Sequence, residues 1–312
     1  MQNFLVTGGA GFIGSNICRR LVAEGYRVRV LDNLLTGKKA NLDGILDRVE
    51  FIEADMGDPE VARAAMQGID VVFHEGALPS VPRSVDDPAL THRHCVDATF
   101  TLLMAARDAG IKRFVYAASS SAYGDTPTLP KVETMPTSPL SPYAVGKLVG
   151  EYYCSVFAQV YGLETISLRY FNVFGPYQDP ASQYAAAIPA FVCAILKDQS
   201  PTIYGDGEQS RDFTYIDNVV EANLCAARAP KTAGQVVNVA CGEAVTVNQI
   251  IAMINDALGK QVRAVYEPAR AGDVKHSLAD ITAAGELINF KPVISFQDGL
   301  QKAIAWYREN LI

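Results

Sequence analysis

The chain has 312 residues, 49% of them apolar, and a formal charge of −7. That length supports a large core in one or two domains. The acidic balance speaks against a nucleic-acid surface, and no apolar run reaches the roughly 18 residues of a membrane span. The chain enters a strand at once, which leaves no room for a signal peptide. The six cysteines (18, 95, 154, 193, 225 and 241) form no C-x-x-C pair. They read as reduced, mostly buried residues of a cytoplasmic protein. Of the histidines at 74, 92, 94 and 276, His92 and His94 lack further ligand-type neighbours. Both are expected on a helix surface, and no metal site is expected.

In chain order, Phe4 to Val6 is an apolar strand, followed by a helical pattern to Glu24, the breaker Gly25, and a second strand from Arg27 to Leu31. Phe51 to Ala54 is a strand ending at Asp55, and Pro59 to Met66 a helix with Pro near its first turn. Val71 to His74 reads as a buried strand, Asp97 to Ala109 as a helix closed by Gly110, and Phe114 to Ala117 as a strand ending at Ser119. Tyr143 to Tyr161 is helical, and Thr165 to Leu168 is a strand. Such alternation predicts an α/β fold with a doubly wound parallel sheet. Beyond Asn172 the expected elements are a helix Ile188 to Leu196, a strand Thr202 to Tyr204 and a strand Val236 to Val239 that can return to the main sheet. A helix Val247 to Leu258, a strand Arg263 to Tyr266 and a helix Phe296 to Glu309 follow. They predict a smaller C-terminal lobe, with residues 1–172 and parts of 210–242 forming the larger one.

The connection from first strand to first helix carries Gly8, Gly11 and Gly14. A strand, this G-x-x-G-x-x-G turn, a helix, a second strand and then Asp32 are the setting that dinucleotide binding requires. Gly8 turns tightly, Gly11 lets a pyrophosphate reach backbone N–H groups at the positive helix end, and Gly14 lets helix and strand pack closely. Asp32 suits two ribose hydroxyls and repels a 2′-phosphate, so NAD is expected over NADP. Tyr143 and Lys147 stand at i and i+4 on one helix face. A neighbouring ammonium lowers a phenol's pKa, and bringing it near 7 takes about 4 kcal/mol.

These features, with Asp32-Asn33, Asp55-Met56, Ser119 to Gly124, Arg169 to Pro176, Tyr204 to Gly207 and Arg211 to Phe213, resemble the extended short-chain dehydrogenase/reductases. Within them the chain is similar to the NAD-dependent sugar-nucleotide epimerase/dehydratases, over nearly its whole length. The resemblance implies NAD contacts from Gly8, Gly11, Phe12, Ile13, Gly14, Asp32, Asn33, Gly37, Gly76, Ala77, Tyr143 and Lys147. It adds Asp55 and Met56 at the adenine, and Tyr170 and Val173 by the nicotinamide. It assigns catalysis to Tyr143, Lys147, Ser119 and Ser120, with Ser121 touching the sugar.

Dehydratases and decarboxylases of this family carry acids after the catalytic hydroxyl, where this chain has Ser120 and Ser121. That favours 4-epimerases. The segments Ser80 to Ser84, Gln178 to Pro180, Tyr184 to Pro189 and Gly272 to Ser277 most resemble UDP-N-acetylglucosamine 4-epimerases of polysaccharide synthesis. The implied substrate residues are Ser80, Arg83, Ser121, Asn172, Ala187, Ile188, Tyr204, Arg211, Arg270, Asp273 and Ser277. Arg211 and Arg270 suit a diphosphate. Ser277, small where enzymes restricted to non-acetylated sugars carry Tyr, leaves room for an acetamido group. A UDP-glucose or uronate epimerase is the alternative, and an NAD-binding redox sensor the non-catalytic one. The resemblance also implies a homodimer formed by a four-helix bundle. Two positions depart from the family: Cys95 replaces an Asn, and Glu75-Gly76 replaces Leu-Ala, with Glu75 expected to face solvent.

Overall fold

Apolar strand residues buried on both faces give the computed structural model its centre; it describes residues 2–180, 187–269 and 275–310. Among them, seven strands form one parallel sheet: β1 (Asn3–Thr7), β2 (Arg27–Asp32), β3 (Val49–Glu53), β4 (Val71–His74), β5 (Arg113–Ser119), β6 (Thr165–Tyr170) and β7 (Gln235–Val239). Their spatial order is β3-β2-β1-β4-β5-β6-β7. Helices α1 (Phe12–Ala23) and α4 (Ile216–Arg228) cover the face reached by Phe4 and Val6. Helices α2 (Ala98–Asp108) and α3 (Pro142–Tyr161) cover the opposite face, reached by Leu5, Val72 and Phe114. The order of strands reverses between β1 and β4, so a crevice opens beyond their carboxyl ends at that point.

Local chemistry sets the helix that matters most. Ser141 caps α3 by accepting a 3.2 Å hydrogen bond from the Ala144 N–H, Pro142 opens the first turn, and Gly162 in a left-handed conformation ends it. Tyr143 is thereby held at the mouth of the crevice. Arg169 of β6 clamps the same helix with two bonds to Glu151, 2.9 and 2.7 Å long, both side chains being buried. Breaking such a pair strands a buried charge. Glu151→Gln or Arg169→Met is expected to cost about 3–5 kcal/mol in a urea unfolding titration, and a Glu151→Leu/Arg169→Met double variant to recover most of it.

The structure corrects several of these readings. The helix expected from Asp97 is longer: it begins at Pro88 and passes through a π turn, Arg93–Asp97, before α2. That wider turn rotates His94 inward to 7% exposure, so only His92 lies on the surface. Helix α4 went unread, and the last short strand is Val265–Glu267 rather than Arg263 to Tyr266. β7 joins the main sheet beside β6.

Candidate active site

Gly8 turns the chain out of β1 at φ 67°, and a Cβ there would sit 2.6 Å from the Gly76 Cα. A Cβ on Gly14 would run into the Gly8 carbonyl oxygen and lie 2.7 Å from the Gly9 Cα. Gly14→Ala therefore separates strand from helix. It is expected to cost more than about 2 kcal/mol in thermal unfolding and to strip bound cofactor. Gly11 forms the N-cap of the 12-residue α1 without a side-chain capping bond, which leaves the helix N–H groups to an anion. Phe12 and Ile13 pack half-buried against the core.

Asp32 is 8% exposed; one oxygen accepts from the Ala10 N–H at 2.9 Å, the other from the Leu34 N–H at 2.8 Å. Burial pushes this carboxyl above its ordinary range, and the two N–H donors oppose that. With Asn33, Met56, Gly76, Ala77 and His94 it lines a cleft beside Gly8. Gly37 lies against its carboxylate. Asp55 is exposed and accepts from the Gly57 N–H of its own turn at 2.8 Å.

At the end of β5, Ser119 lies beside Tyr143 and acts to lower its phenol's pKa. It also accepts from the Ser121 hydroxyl at 2.9 Å, and Ser120 opens the short 3-10 turn that follows. Lys147 is buried; its ammonium donates to the Ala117 carbonyl at 2.7 Å and lies over the Tyr116 ring. Burial lowers the Lys147 pKa. The Tyr143 phenol is raised by burial first, then by Cys95 and Glu75, with only Ser119 opposing. The ammonium is committed to the β5 backbone.

Glu75 does not turn to solvent. One carboxylate oxygen accepts from the Tyr170 hydroxyl at 2.9 Å, and that hydroxyl accepts from the Asn223 amide at 2.8 Å. The other oxygen is buried with no hydrogen-bond partner among the described residues. Burial pushes the Glu75 carboxyl up to about 7. Cys95 is buried, 3.8 Å from the Leu78 carbonyl oxygen.

The substrate residues divide. Asn172, at φ 34°, donates to the Asp212 carbonyl at 2.9 Å and to the Ser277 hydroxyl at 3.3 Å, which joins two of them. Arg211 donates to the carbonyls of Ser210 and Lys275. Ser80, at φ 106°, caps the short helix containing Arg83. Tyr204 is exposed, and Val173 is half-buried. Ala187 begins a helix, and the Ile188 side chain lies in the core. Arg270 and Asp273 lie outside the described residues.

The family described as NAD dependent epimerase/dehydratase matches residues 4–240. The chain belongs to that family. A UDP-glucose 4-epimerase of Mycolicibacterium smegmatis is 37% identical over 310 residues, covering 98% of each chain. A solved UDP-N-acetylglucosamine 4-epimerase from Methanobrevibacter ruminantium, in complex with UDP-N-acetylmuramic acid, is 41% identical with a TM-score of 0.95, covering 99% of this chain and 98% of that one. A UDP-glucose 4-epimerase from Thermotoga maritima, solved with UDP-glucose, is 36% identical with a TM-score of 0.95 over the full length of both.

An NAD-dependent epimerase/dehydratase must hold its dinucleotide, and the residues fit. The cleft beside Asp32, the close Gly8–Gly76 approach and the uncapped start of α1 come together at the turn after β1. Two supporting residues escaped the sequence reading. His74 is buried, with Nδ1 2.7 Å from the Thr7 hydroxyl and Nε2 2.8 Å from the Thr99 hydroxyl. Thr99 donates to the Cys95 carbonyl, so it accepts from Nε2–H; Thr7 then donates to Nδ1 and accepts from the Gly76 N–H. Burial drives His74 down to about 3, so the ring is neutral and fixes the Gly76 backbone. Asp212 accepts from the N–H groups of Cys241, Gly242 and Ala279, tying the end of β7 to the Ser277 segment. Its place in the Arg211-Asp212-Phe213 motif was the available signal.

Proposed function

We propose that this enzyme is a UDP-sugar 4-epimerase that interconverts UDP-GlcNAc and UDP-GalNAc and also accepts UDP-Glc and UDP-Gal. The observation that carries the chemistry is the placement of Ser119, at the end of β5, beside Tyr143 at the start of α3, beyond the dinucleotide turn. Tyr143 takes the proton from the sugar 4-hydroxyl, and Ser119 hydrogen-bonds the same oxygen. When bound, NAD supplies a hydride acceptor that returns what it takes, and a positive ring charge that favours the phenolate. The 4-keto sugar turns over while UDP stays anchored, and Tyr143 returns its proton to the oxygen on the other face. Lys147 holds the helix to β5 and contributes positive charge nearby. Arg211, Arg270 and Asp273 anchor the nucleotide, with Ser80, Arg83, Ser121, Ala187, Ile188 and Tyr204 around it. Asn172 and the small Ser277 give the acetamido group its room.

The same reading assigns residues 1–172, with parts of 210–242, to NAD and residues 173–312 mainly to the UDP-sugar. Phe100 of α2 and Val145, Tyr152, Val156 and Val160 of α3 are large apolar side chains left exposed. They support a homodimer built by α2 and α3 of two copies. No helix of the described residues is long and apolar enough to cross a membrane, and we place the enzyme in the cytoplasm, in polysaccharide synthesis.

The test is NMR of the products after incubating the purified protein, without added NAD, with UDP-GlcNAc and separately with UDP-Glc. Formation of UDP-GalNAc establishes the reading. Conversion of UDP-Glc alone keeps the chemistry and removes the role of Ser277; conversion of neither, with turnover of UDP-glucuronate, moves the substrate to uronates.

A further inference from the structure

We propose that Glu75 is the counter-charge of the hydride-accepting ring, and that it holds the resident cofactor in its oxidised form between turnovers. The inference rests on the NAD-dependent reading above. It starts from placement: Glu75 follows β4 at the switch point, and its backbone N–H bonds the Thr7 carbonyl at 3.2 Å, beside the glycine turn. The dinucleotide path runs from Asp32 across that turn toward Tyr143. The hydride leaves the carbon whose hydroxyl Tyr143 deprotonates, so the accepting ring lies at the Tyr143 end. Glu75 is thus tied by its backbone to the start of the turn, and its charge acts on both Tyr143 and Lys147.

The carboxylate is held on one side only. Tyr170, itself fixed by Asn223, donates to one oxygen, while the second is buried and unsatisfied. Buried polar atoms are seldom left so unless a ligand completes them. The oxidised nicotinamide ring carries a positive charge and the reduced ring none, so an adjacent carboxylate binds the oxidised form better. At a separation of several ångströms, in surroundings less polar than water, the preference is on the order of tenfold or more. An epimerase that returns every hydride must begin each cycle oxidised. Lys147, a cation committed to the Ala117 carbonyl, pushes the balance the other way, and Glu75 offsets it.

A redox titration of the holoenzyme without sugar, following the near-ultraviolet absorbance of the reduced ring, reads this directly and does not depend on epimerase turnover. Glu75→Gln is expected to move the equilibrium at least tenfold toward the reduced cofactor, an upward shift of about 30 mV for a two-electron couple. Glu75→Asp, which keeps the charge, is expected to stay close to the parent. Tyr170→Phe removes the donor that favours the ionised form of Glu75 against its burial, and is expected to shift the balance the same way by a smaller factor. An unshifted Glu75→Gln variant, or Glu75→Asp shifting as far as Glu75→Gln, overturns the proposal. Should Glu75→Gln not fold, an unshifted Tyr170→Phe variant does so.

Discussion

Replacing Tyr143 with Phe is expected to lower kcat by ~10³-fold, equivalent to about 4 kcal/mol of barrier, while bound NAD stays in place. The ring that packs at the start of α3 is kept; what is lost is the oxygen that exchanges a proton with the sugar. In this structure that phenol is raised by burial and by the neighbouring Cys95 and Glu75. It is therefore a weak acid until positive charge is added beside it. No second residue is ready to take over. The Ser119 hydroxyl already accepts from Ser121, and the Lys147 ammonium is bound to the Ala117 carbonyl. Single-turnover rates on UDP-Glc, with cofactor content measured on the same sample, give the result. A loss under tenfold would remove Tyr143 from the proton transfer. Loss of NAD along with activity would make it a binding residue instead.

The parts of the site that sequence made legible are those whose chemistry is carried by local spacing. Gly8 and Gly14 are glycines because neighbouring backbone leaves no room for a Cβ, and Asp32 ends β2 as the turn requires. Tyr143 and Lys147 follow from the helical period. The rest depended on partners distant in the chain. Glu75 turns inward because Tyr170, 95 residues later, donates to it. His94 is buried because a π turn breaks the 3.6-residue period on which its placement was read. Helix α4 carries Ile216, Val219, Val220 and Leu224 at helical spacing, but buried Asn218 and Asn223 interrupt its apolar face. Asn218 is there to accept the N–H groups of Val293 and Ile294. A buried amide of that kind reads as a loop until its partner is known. Lys147 was half legible for the same reason: spacing gave the face it shares with Tyr143, and the distant Ala117 carbonyl decided what its ammonium bonds.

Ser277→Tyr is expected to lower kcat/KM for UDP-GlcNAc by ~10²-fold or more while that for UDP-Glc stays within about tenfold of the parent. The half-buried Ser277 hydroxyl lies 3.3 Å from the Asn172 amide, so a phenol ring from the same Cα enters the space facing Asn172. The backbone has reason to stay. The Ser277 N–H is bonded to the Ser210 carbonyl at 3.0 Å, and Asp212 ties the adjoining Ala279 N–H to the end of β7. Losing the serine hydroxyl leaves no orphan, because the Asn172 amide keeps its 2.9 Å bond to the Asp212 carbonyl. The variant thus changes volume with little change in hydrogen bonding, and the two substrates differ at the acetamido group alone. Parallel loss on both would place Ser277 against the part of the ligand they share. An unchanged ratio with unchanged rates would place the acetamido group elsewhere. A selective fall, with NAD content and the UDP-Glc rate preserved, would identify residue 277 as the side chain that admits acetylated sugars.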